Sequence, residues 1–314
     1  MAVPGIESEK TKGMIFPEVG HPILENILRI RTTEGARKEP INEQFCDFDK
    51  VRYNVLIDAA DLDSMLISLS MPALSELMQY GAQVVLDDHF PGMMEPTPVE
   101  GYDITLKVNL AALPCPAEEL VGKVSQLKRR LAGAPFDQCL AALAAGHAAS
   151  LPPIKINFRP DETTFIVPRA DRVVVIFQLD FPDPTDQAIA QVFLAEIATC
   201  RQPEAPAATF SRDQPMELQG VPDLKESSNF VGYLSLSIEP THVNTPEKRT
   251  KVVTLMQTLR SYLHYHIKAS KSYLHMRMRH KVVTLLQVLN RAVPEKDPAK
   301  VQKKTMAGKT FTRR

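Results

Sequence analysis

The sequence lacks the features that mark several large classes of protein. Its longest uninterrupted apolar run, Cys139 to Ala145, has seven residues, whereas a membrane-spanning helix needs about 20. Residues Met1 to Gly13 are polar and contain no apolar stretch of the kind that a secretory signal has. The four cysteines form no C-x-x-C pair, so neither a disulfide scaffold nor a zinc site is expected. These absences predict a cytoplasmic protein without a transmembrane segment.

Signatures of common catalytic sites are also absent. No G-x-G-x-x-G, G-x-S-x-G or H-E-x-x-H motif occurs, which argues against a dinucleotide site, a serine hydrolase and a zinc protease. Gly308-Lys309-Thr310 imitates the end of a phosphate-binding loop, but Lys303 stands where that motif needs glycine. His264 and His266 point to different sides of a helix, so solvated or partner-facing histidines are expected instead of a metal pair. The sequence therefore predicts no catalytic residue, no cofactor, no metal site and no enzyme.

Acidic residues are scarce at the C-terminal end of the chain, although the net charge of the whole chain is zero. Residues 246–314 contain 17 Lys and Arg against 3 Asp and Glu, whereas residues 1–245 contain 20 against 34. Between Lys248 and Arg291 there are ten Lys and Arg and no acidic residue, so pairs of opposite charge four residues apart cannot form there. This pattern favours a polyanionic partner: nucleic acid, an anionic membrane surface or an acidic protein polymer.

Hydrophobic periodicity divides most of the chain into two sections of mixed strand and helix. The first section covers residues 14–150 and follows an extension of residues 1–13. Its predicted elements are strands at Met14–Val19, Lys50–Ile57, Ser64–Leu69 and Tyr102–Leu110 and helices at Pro22–Arg31, Pro72–Gly81, Ala117–Leu131 and Phe136–His147.

The second section covers residues 151–245. Its predicted elements are a hairpin of Ile154–Phe158 and Thr164–Val167, a strand buried on both faces at Val173–Phe177, a helix at Asp186–Cys200 and a strand at Val231–Ile238.

One long helix is predicted after the second section. Thr245 supplies an N-cap, Pro246 stands at the first helical position, and no further proline or glycine occurs before Pro294. We expect a helix from Pro246 to Ala292, in a segment of residues 246–293 continuous with the second domain, and a flexible basic tail of residues 294–314. The expected fold class is α+β, with two similar α/β domains followed by this C-terminal helix and tail.

On one line of this helix, the apolar residues of the first half give way to charged residues in the second half. The apolar line consists of Val252, Met256, Leu259, Leu263, Ile267 and Leu274. In a helical projection, Arg277 and Lys281 fall on the line that upstream holds Leu259 and Leu263. We infer that the helix leaves its own domain near His275 and then packs on a second protein.

Sequence motifs on this helix resemble a known family. They are Tyr262-Leu263-His264-Tyr265-His266-Ile267-Lys268, Tyr273-Leu274-His275-Met276-Arg277-Met278-Arg279, Val288-Leu289-Asn290-Arg291 and the ending Gly308-Lys309-Thr310-Phe311. These motifs closely resemble the family of subunit 2 of the actin-related protein 2/3 complex. Weaker matches follow the same order upstream, at Phe48-Asp49, Gly101-Tyr102, Arg172–Phe177 and Gly232-Tyr233-Leu234.

The resemblance implies a structural role without catalysis. A member of this family is expected to have two α/β domains of similar fold and a long helix that lies antiparallel to the equivalent helix of subunit 4. It is expected to hold the two actin-related subunits and the remaining subunits, and to contact the side of a mother actin filament from which a branch grows. The implied location is the cytoplasm, at the actin cytoskeleton of the cell cortex, projections or actin patches, and no nucleic acid is implied as a partner.

Two sets of residues are candidates for these contacts. The set expected to bind the actin filament is cationic: Lys268, Lys271, Arg277, Arg279, Lys281, Arg291, Lys296, Lys300, Lys303 and Lys304. The set expected to pack against the domain of this chain or against the helix of subunit 4 is mostly apolar: Leu259, Tyr262, Leu263, Ile267, Leu274, Leu285 and Leu289. Gln287 departs from the family pattern, which has lysine there, and Val282–Leu286 is more apolar than that pattern.

Two other classes of protein stay open at this point. A nucleic-acid- or anionic-surface-binding protein would use the basic helix, although a dimeric zipper needs sustained heptads and the apolar line here changes face. An enzyme with an unrecognised site is the third possibility, for which the sequence offers no constellation of catalytic residues.

Overall fold

Two antiparallel sheets and the helices that pack with them make up the described part of the chain. The computed structural model describes residues 20–291 except 34, 36, 48, 160–161, 200–204, 220, 222–223 and 225–226. The predicted extension of residues 1–13, the predicted strand Met14–Val19 and the predicted basic tail lie outside the described residues. Within them, the α+β fold class is confirmed.

The first sheet is a meander of β1 (Ile41–Cys46), β2 (Arg52–Asp58), β3 (Asp61–Ser70) and β4 (Ile104–Asn109), paired in that order. One face is apolar because alternate residues meet across the strands. Val55 pairs with Ile67, Ile67 pairs with Leu106, and all three are buried. The sequence predicts β2, β3 and β4 but not β1, because β1 carries a run of exposed polar residues that suits the edge of a sheet.

The helices of the first section are α1 (Pro22–Thr32), α2 (Leu74–Leu77), α3 (Gln83–His89), α4 (Ala117–Ser125) and α5 (Leu127–Ala144). The predicted helix end at Gly81 is confirmed, since Tyr80 and Gly81 have non-helical backbone angles, with Gly81 at φ 95°, and a second helix, α3, begins at Gln83. Glycine adopts this left-handed conformation without strain and here bends the chain between two helices. The predicted break before Phe136 is wrong. Residues 131–136 are all buried, and α5 runs through Pro135 because this packing outweighs the hydrogen bond that proline removes.

The second sheet has, among the described residues, five antiparallel strands in the order β5-β6-β7-β9-β8. They are β5 (Ile154–Arg159), β6 (Glu162–Pro168), β7 (Val173–Asp180), β8 (Ala207–Ser211) and β9 (Phe230–Ile238), and α6 (Pro184–Thr199) follows β7. Every residue of β7 is buried. Val175 belongs to the main apolar core and Ile176 to a smaller cluster that contains Leu218. The prediction of a strand covered on both faces is therefore confirmed.

The last helix, α7 (Pro246–Arg291), is unbroken over 46 residues. Thr245 caps it, since its hydroxyl oxygen accepts a hydrogen bond from the backbone N–H of Lys248 at 3.3 Å. The chain divides into two compact units, one that ends at Ile267 and one that begins at Lys268. The division expected near residue 150 separates the two sheets in sequence, although one core cluster includes residues of both, and it stays a prediction.

Helices α5 and α7 approach each other closely at Gly133. A Cβ atom added to Gly133 would lie 2.0 Å from Nε2 of Gln257 and 2.9 Å from Cγ1 of Val253, both on α7. Because Val253 is itself buried, it has little room to move away. Glycine at this position therefore sets how near α7 lies to α5.

Substitution of Gly133 tests this close approach. We expect Gly133→Ala to lower the free energy of unfolding by about 1–3 kcal/mol, because an extra methyl group overpacks the contact between the helices. The matched control is Gly122→Ala on α4, where an added Cβ meets nothing within 4 Å. Gly122→Ala should raise stability by about 0.5–1 kcal/mol through helix propensity alone. Equal effects of the two substitutions in urea unfolding would contradict the packing argument.

Candidate protein-interaction site

A buried ion network joins α7 to the second sheet. Arg260 pairs with Glu162 at the start of β6, and its second guanidinium nitrogen lies 3.7 Å from Asp49 in the loop after β1. His264, one turn farther along α7, places Nε2 3.3 Å from the other oxygen of Glu162. The side chains of Arg260 and Glu162 are only 12% and 9% exposed. Because the pair is shielded from water, removal of either partner would leave a buried charge without compensation.

Glu162 is the acidic centre of this network. Burial by itself would raise the pKa of Glu162, but the hydrogen bond with His264 and the positive charge of Arg260 outweigh burial and hold that pKa below its ordinary value. A folded-state pKa below the unfolded one means that the ionised carboxylate stabilises the fold at neutral pH. This contribution is lost as the pH falls through the lowered pKa.

Some of the cations on α7 are neutralised within the chain. Nε of Arg249 lies 2.9 Å from a carboxylate oxygen of Asp137 on α5, and Arg260 pairs with Glu162. The expectation that the helix cations lack acidic partners is therefore wrong for Arg249 and Arg260, because it considered only acids on the helix itself. Asp137 is 112 residues away from Arg249 in sequence, so no local pattern marks the pair.

The two histidines of α7 are packed against aromatic rings. The ring of His264 lies 4.7 Å from that of Phe181, and the ring of His266 lies 4.2 Å from that of Tyr262 and 6.0 Å from that of Phe193. The expectation of solvated or partner-facing histidines is therefore wrong, since tertiary packing turns both rings toward the body. No group of three or more His, Cys, Asp and Glu within the described ranges could hold a metal ion.

The residues expected at a subunit interface divide into two groups. Three are buried in the core of their own unit, at 8% exposure or less: Leu259, Leu263 and Ile267. Three are 47–57% exposed: Leu274, Leu285 and Leu289. Tyr262 is half-buried beside His266. Burial on α7 thus ends at Ile267, earlier than the expected position near His275, and the three exposed leucines are the ones available to a partner.

The segment of α7 from Lys268 to Arg291 exposes apolar side chains along one face, which we call the apolar stripe. Its members are three or four positions apart and each is 47–64% exposed: Leu274, Met278, Val282, Leu285 and Leu289. Met278 and Val282 were missing from the predicted interface set, although their spacing of four from the neighbouring members was a usable signal. A continuous apolar surface of this kind marks an interaction site. No helix in the described part of the chain is long and apolar enough to cross a bilayer.

Cations border the apolar stripe on both sides. In projection, Arg277 and Lys281 lie one turn apart along one border and Arg279 lies along the other. All three are exposed, and the guanidinium of Arg277 lies 5.7 Å from the ring centre of Tyr273. The remaining predicted filament contacts on this segment are Lys268, Lys271 and Arg291. The predicted contacts Lys296, Lys300, Lys303 and Lys304 lie outside the described residues.

An α+β body with a long helix, an exposed apolar stripe and cationic borders defines a class of protein, namely a subunit of a larger assembly. A family model described as the 34 kD subunit p34-Arc of the Arp2/3 complex matches residues 67–296. The chain belongs to this P34-Arc family, which confirms the resemblance of its sequence motifs.

Two relatives are similar over nearly their whole length, and both are named actin-related protein 2/3 complex subunit 2. The relative from Dictyostelium discoideum is 38% identical over 282 residues, which cover 88% of this chain and 92% of the relative. The relative from Schizosaccharomyces pombe is 33% identical over 313 residues, which cover 91% of this chain and 96% of the relative.

The ion network predicts different roles for two arginines of the same helix. Arg260→Ala should lower the free energy of unfolding by about 3–5 kcal/mol, because it leaves Glu162 buried without its main cation. The matched control is Arg277→Ala, at an exposed position of the same helix, which should change stability by no more than about 0.5 kcal/mol. Urea unfolding of the full chain measures both values. A small effect of Arg260→Ala would show that the network does not hold α7 to the sheet.

Proposed function

We propose that this chain is a structural core subunit of the Arp2/3 complex, which scaffolds branched actin nucleation and catalyses no reaction. The observation that carries the proposal is the apolar stripe, because an exposed apolar surface of this extent marks a site that a binding partner covers. Membership of the P34-Arc family indicates the assembly from which that partner comes. The two α/β domains proposed for residues 14–150 and 151–245 would form the body of the scaffold.

The spacing within the apolar stripe favours a helix as the partner. Met278, Val282, Leu285 and Leu289 are separated by four, three and four positions, the alternation that packs side chains of two helices into each other. Each leucine, valine or methionine that becomes fully buried contributes about 1.5–3 kcal/mol. The proposed partner is the equivalent helix of subunit 4, lying antiparallel to α7. The two actin-related subunits and the remaining subunits are proposed as further neighbours.

The cationic borders are proposed to contact the side of the mother actin filament. A helix that pairs along its apolar stripe keeps its borders accessible, and a negatively charged filament would neutralise them. Each exposed ion pair contributes on the order of 1 kcal/mol or less, so the affinity depends on the sum of many contacts. The proposed filament set is the one named from the sequence: Lys268, Lys271, Arg277, Arg279, Lys281, Arg291, Lys296, Lys300, Lys303 and Lys304.

The alternative is a nucleic-acid- or anionic-surface-binding protein that uses the same cations. A nucleic acid would neutralise the borders but leave the apolar stripe in water, so the stripe counts against it. An anionic membrane surface would cover both features, and the experiments below include that outcome. The location that accompanies the proposal is the cytoplasm, at the actin cytoskeleton.

Truncation of the apolar stripe should weaken assembly without unfolding the chain. The double variant Leu285→Ala and Leu289→Ala should lose about 2 kcal/mol or more of binding energy per leucine, which corresponds to roughly 30-fold in affinity for each. The matched control is the double variant Met276→Ala and Val283→Ala, which removes two exposed apolar side chains from the opposite face of the same segment. Co-purification of companion subunits and a dissociation constant for subunit 4 measure the effect.

Equal losses in the two double variants would show that the apolar stripe is not the pairing face. A wild-type chain that recruits no companion subunit but sediments with anionic vesicles would favour the anionic-surface alternative instead.

Reversal of border charges should weaken filament binding and spare assembly. The double variant Arg277→Glu and Lys281→Glu should lower the affinity for actin filaments and reduce its dependence on salt, because fewer ionic contacts remain to be screened. The matched control is Lys248→Glu and Lys251→Glu, which makes the same change of charge at two exposed positions near the start of α7. Co-sedimentation of the assembled complex with filaments at rising salt measures both. An affinity that is indifferent to salt, or equal losses in both variants, would contradict the proposed contact.

A further inference from the structure

A cavity of about 650 Å³ lies within the unit that ends at Ile267. Part of its wall consists of buried apolar side chains from both sheets, α5 and α7: Val51, Tyr53, Phe136, Phe177 and Met256. Sites for small molecules have volumes of about 300–1,000 Å³ and mostly apolar walls with a few polar groups. The volume and the wall of this cavity therefore match a site for a molecule with an apolar body.

Most of the charged residues that line the cavity neutralise each other. Lys128 on α5 pairs with Asp47 and Asp49, which follow β1. Arg260 on α7 pairs with Glu162 and lies 3.7 Å from Asp49. Because these charges are compensated within the chain, they offer little net attraction to a charged ligand.

Arg129 on α5 is a lining cation of a different kind. Its guanidinium donates hydrogen bonds to neutral acceptors, namely the side-chain oxygens of Gln126 and Thr254 and the carbonyl oxygen of Thr250. Among the described residues, Arg129 belongs to no ion pair, and its Nε atom is buried without a hydrogen-bond partner. Burial and the nearby charge of Arg130 lower the pKa of Arg129 from its ordinary value, as expected for a cation that no acid compensates.

The guanidinium of Arg129 lies beside the part of α7 that lines the cavity. Thr254, Thr258 and Ser261 are four and three positions apart and therefore share one face of the helix. Thr258 and Ser261 line the cavity, as Arg129 does, and Thr254 accepts the hydrogen bond from Arg129. A molecule that fills the cavity is thus close to a cation whose charge is still uncompensated.

We propose that this cavity binds a small apolar molecule that carries one carboxylate, such as a fatty acid. The apolar body covers the aromatic and aliphatic wall, and the carboxylate pairs with Arg129. A guanidinium and a carboxylate form a strong, charge-assisted pair, and this pair compensates a charge that burial has partly removed from water. A single uncompensated cation favours a single negative charge on the ligand. The inference does not depend on the proposed function, since it concerns the body of the chain.

Binding of cis-parinaric acid, a fluorescent fatty acid, to the full chain tests the proposal. The folded chain should bind one equivalent with enhanced fluorescence, and the urea midpoint should rise with ligand concentration because the unfolded chain does not bind. Ala132→Leu, at a buried position of the cavity wall on α5, should weaken binding about ten-fold or more by filling the space. The matched control is Ala144→Leu at the exposed end of α5, which should leave the affinity unchanged. If Ala132→Leu is unfolded by circular dichroism, Thr258→Phe replaces it.

The carboxylate is tested by comparing the acid with its methyl ester. Arg129→Gln should lower the affinity for cis-parinaric acid about ten-fold and leave the affinity for the uncharged ester unchanged. The matched control is Arg172→Gln, which removes an exposed cation that lies outside the cavity lining and should alter neither affinity. Urea unfolding of both variants without ligand shows whether each chain is folded at the start.

Two results would overturn the cavity as the binding site: a wild-type chain that binds no probe, or binding that the space-filling variant leaves unchanged. Loss of the signal in the double variant Leu285→Ala and Leu289→Ala would do the same, because the probe would then lie on the apolar stripe. Equal losses of acid and ester in Arg129→Gln would overturn recognition of a carboxylate by this arginine.

Discussion

Burial of apolar surface on α7 is the constraint on which the rest of this structure depends. Up to Ile267 most of the apolar side chains of the helix are covered by the body of the chain, with Leu263 and Ile267 almost completely buried. From Leu274 onward the same type of side chain is about half exposed. Exposed apolar surface in water is unfavourable in proportion to its area. A helix built in this way is anchored at one end and needs a partner at the other.

Charge follows the same division along the helix. Arg249 and Arg260 have acidic partners from α5 and β6, so their charge contributes to the position of α7 and is not available to another molecule. Arg277, Arg279 and Lys281 border the apolar stripe at exposed positions. The buried Arg260–Glu162 pair acts on stability through its desolvation, and the partly exposed Arg249–Asp137 pair contributes about 1 kcal/mol or less. Exposed charges act mainly on the rate and salt dependence of association. How far a charged side chain is shielded from water therefore determines whether it stabilises the fold or influences association with another molecule.

Elements whose signal is local could be predicted from the sequence. Thr245, Pro246 and the long absence of glycine and proline predict the start and continuity of α7, because caps and helix breakers act within one turn. The apolar residues of β7 predict a strand covered on both faces. Gly81 ends a helix in the left-handed conformation, as its local signal predicts. In contrast, Pro135 lies inside a helix. Packing around Pro135 overrides its usual effect, and a local pattern does not contain that packing.

The amino-acid sequence alone predicts the composition of the site: a basic C-terminal region, a continuous helix and apolar residues at helical spacing. It also carried the motifs by which the family was recognised. The packing of separate elements, in contrast, sets where burial on the helix ends and which cations have acidic partners within the chain. Asp49 and Glu162 approach Arg260 from distant parts of the chain. Such contacts depend on how separate elements pack, because an ion pair forms wherever the fold brings two charges together, whatever their separation in sequence.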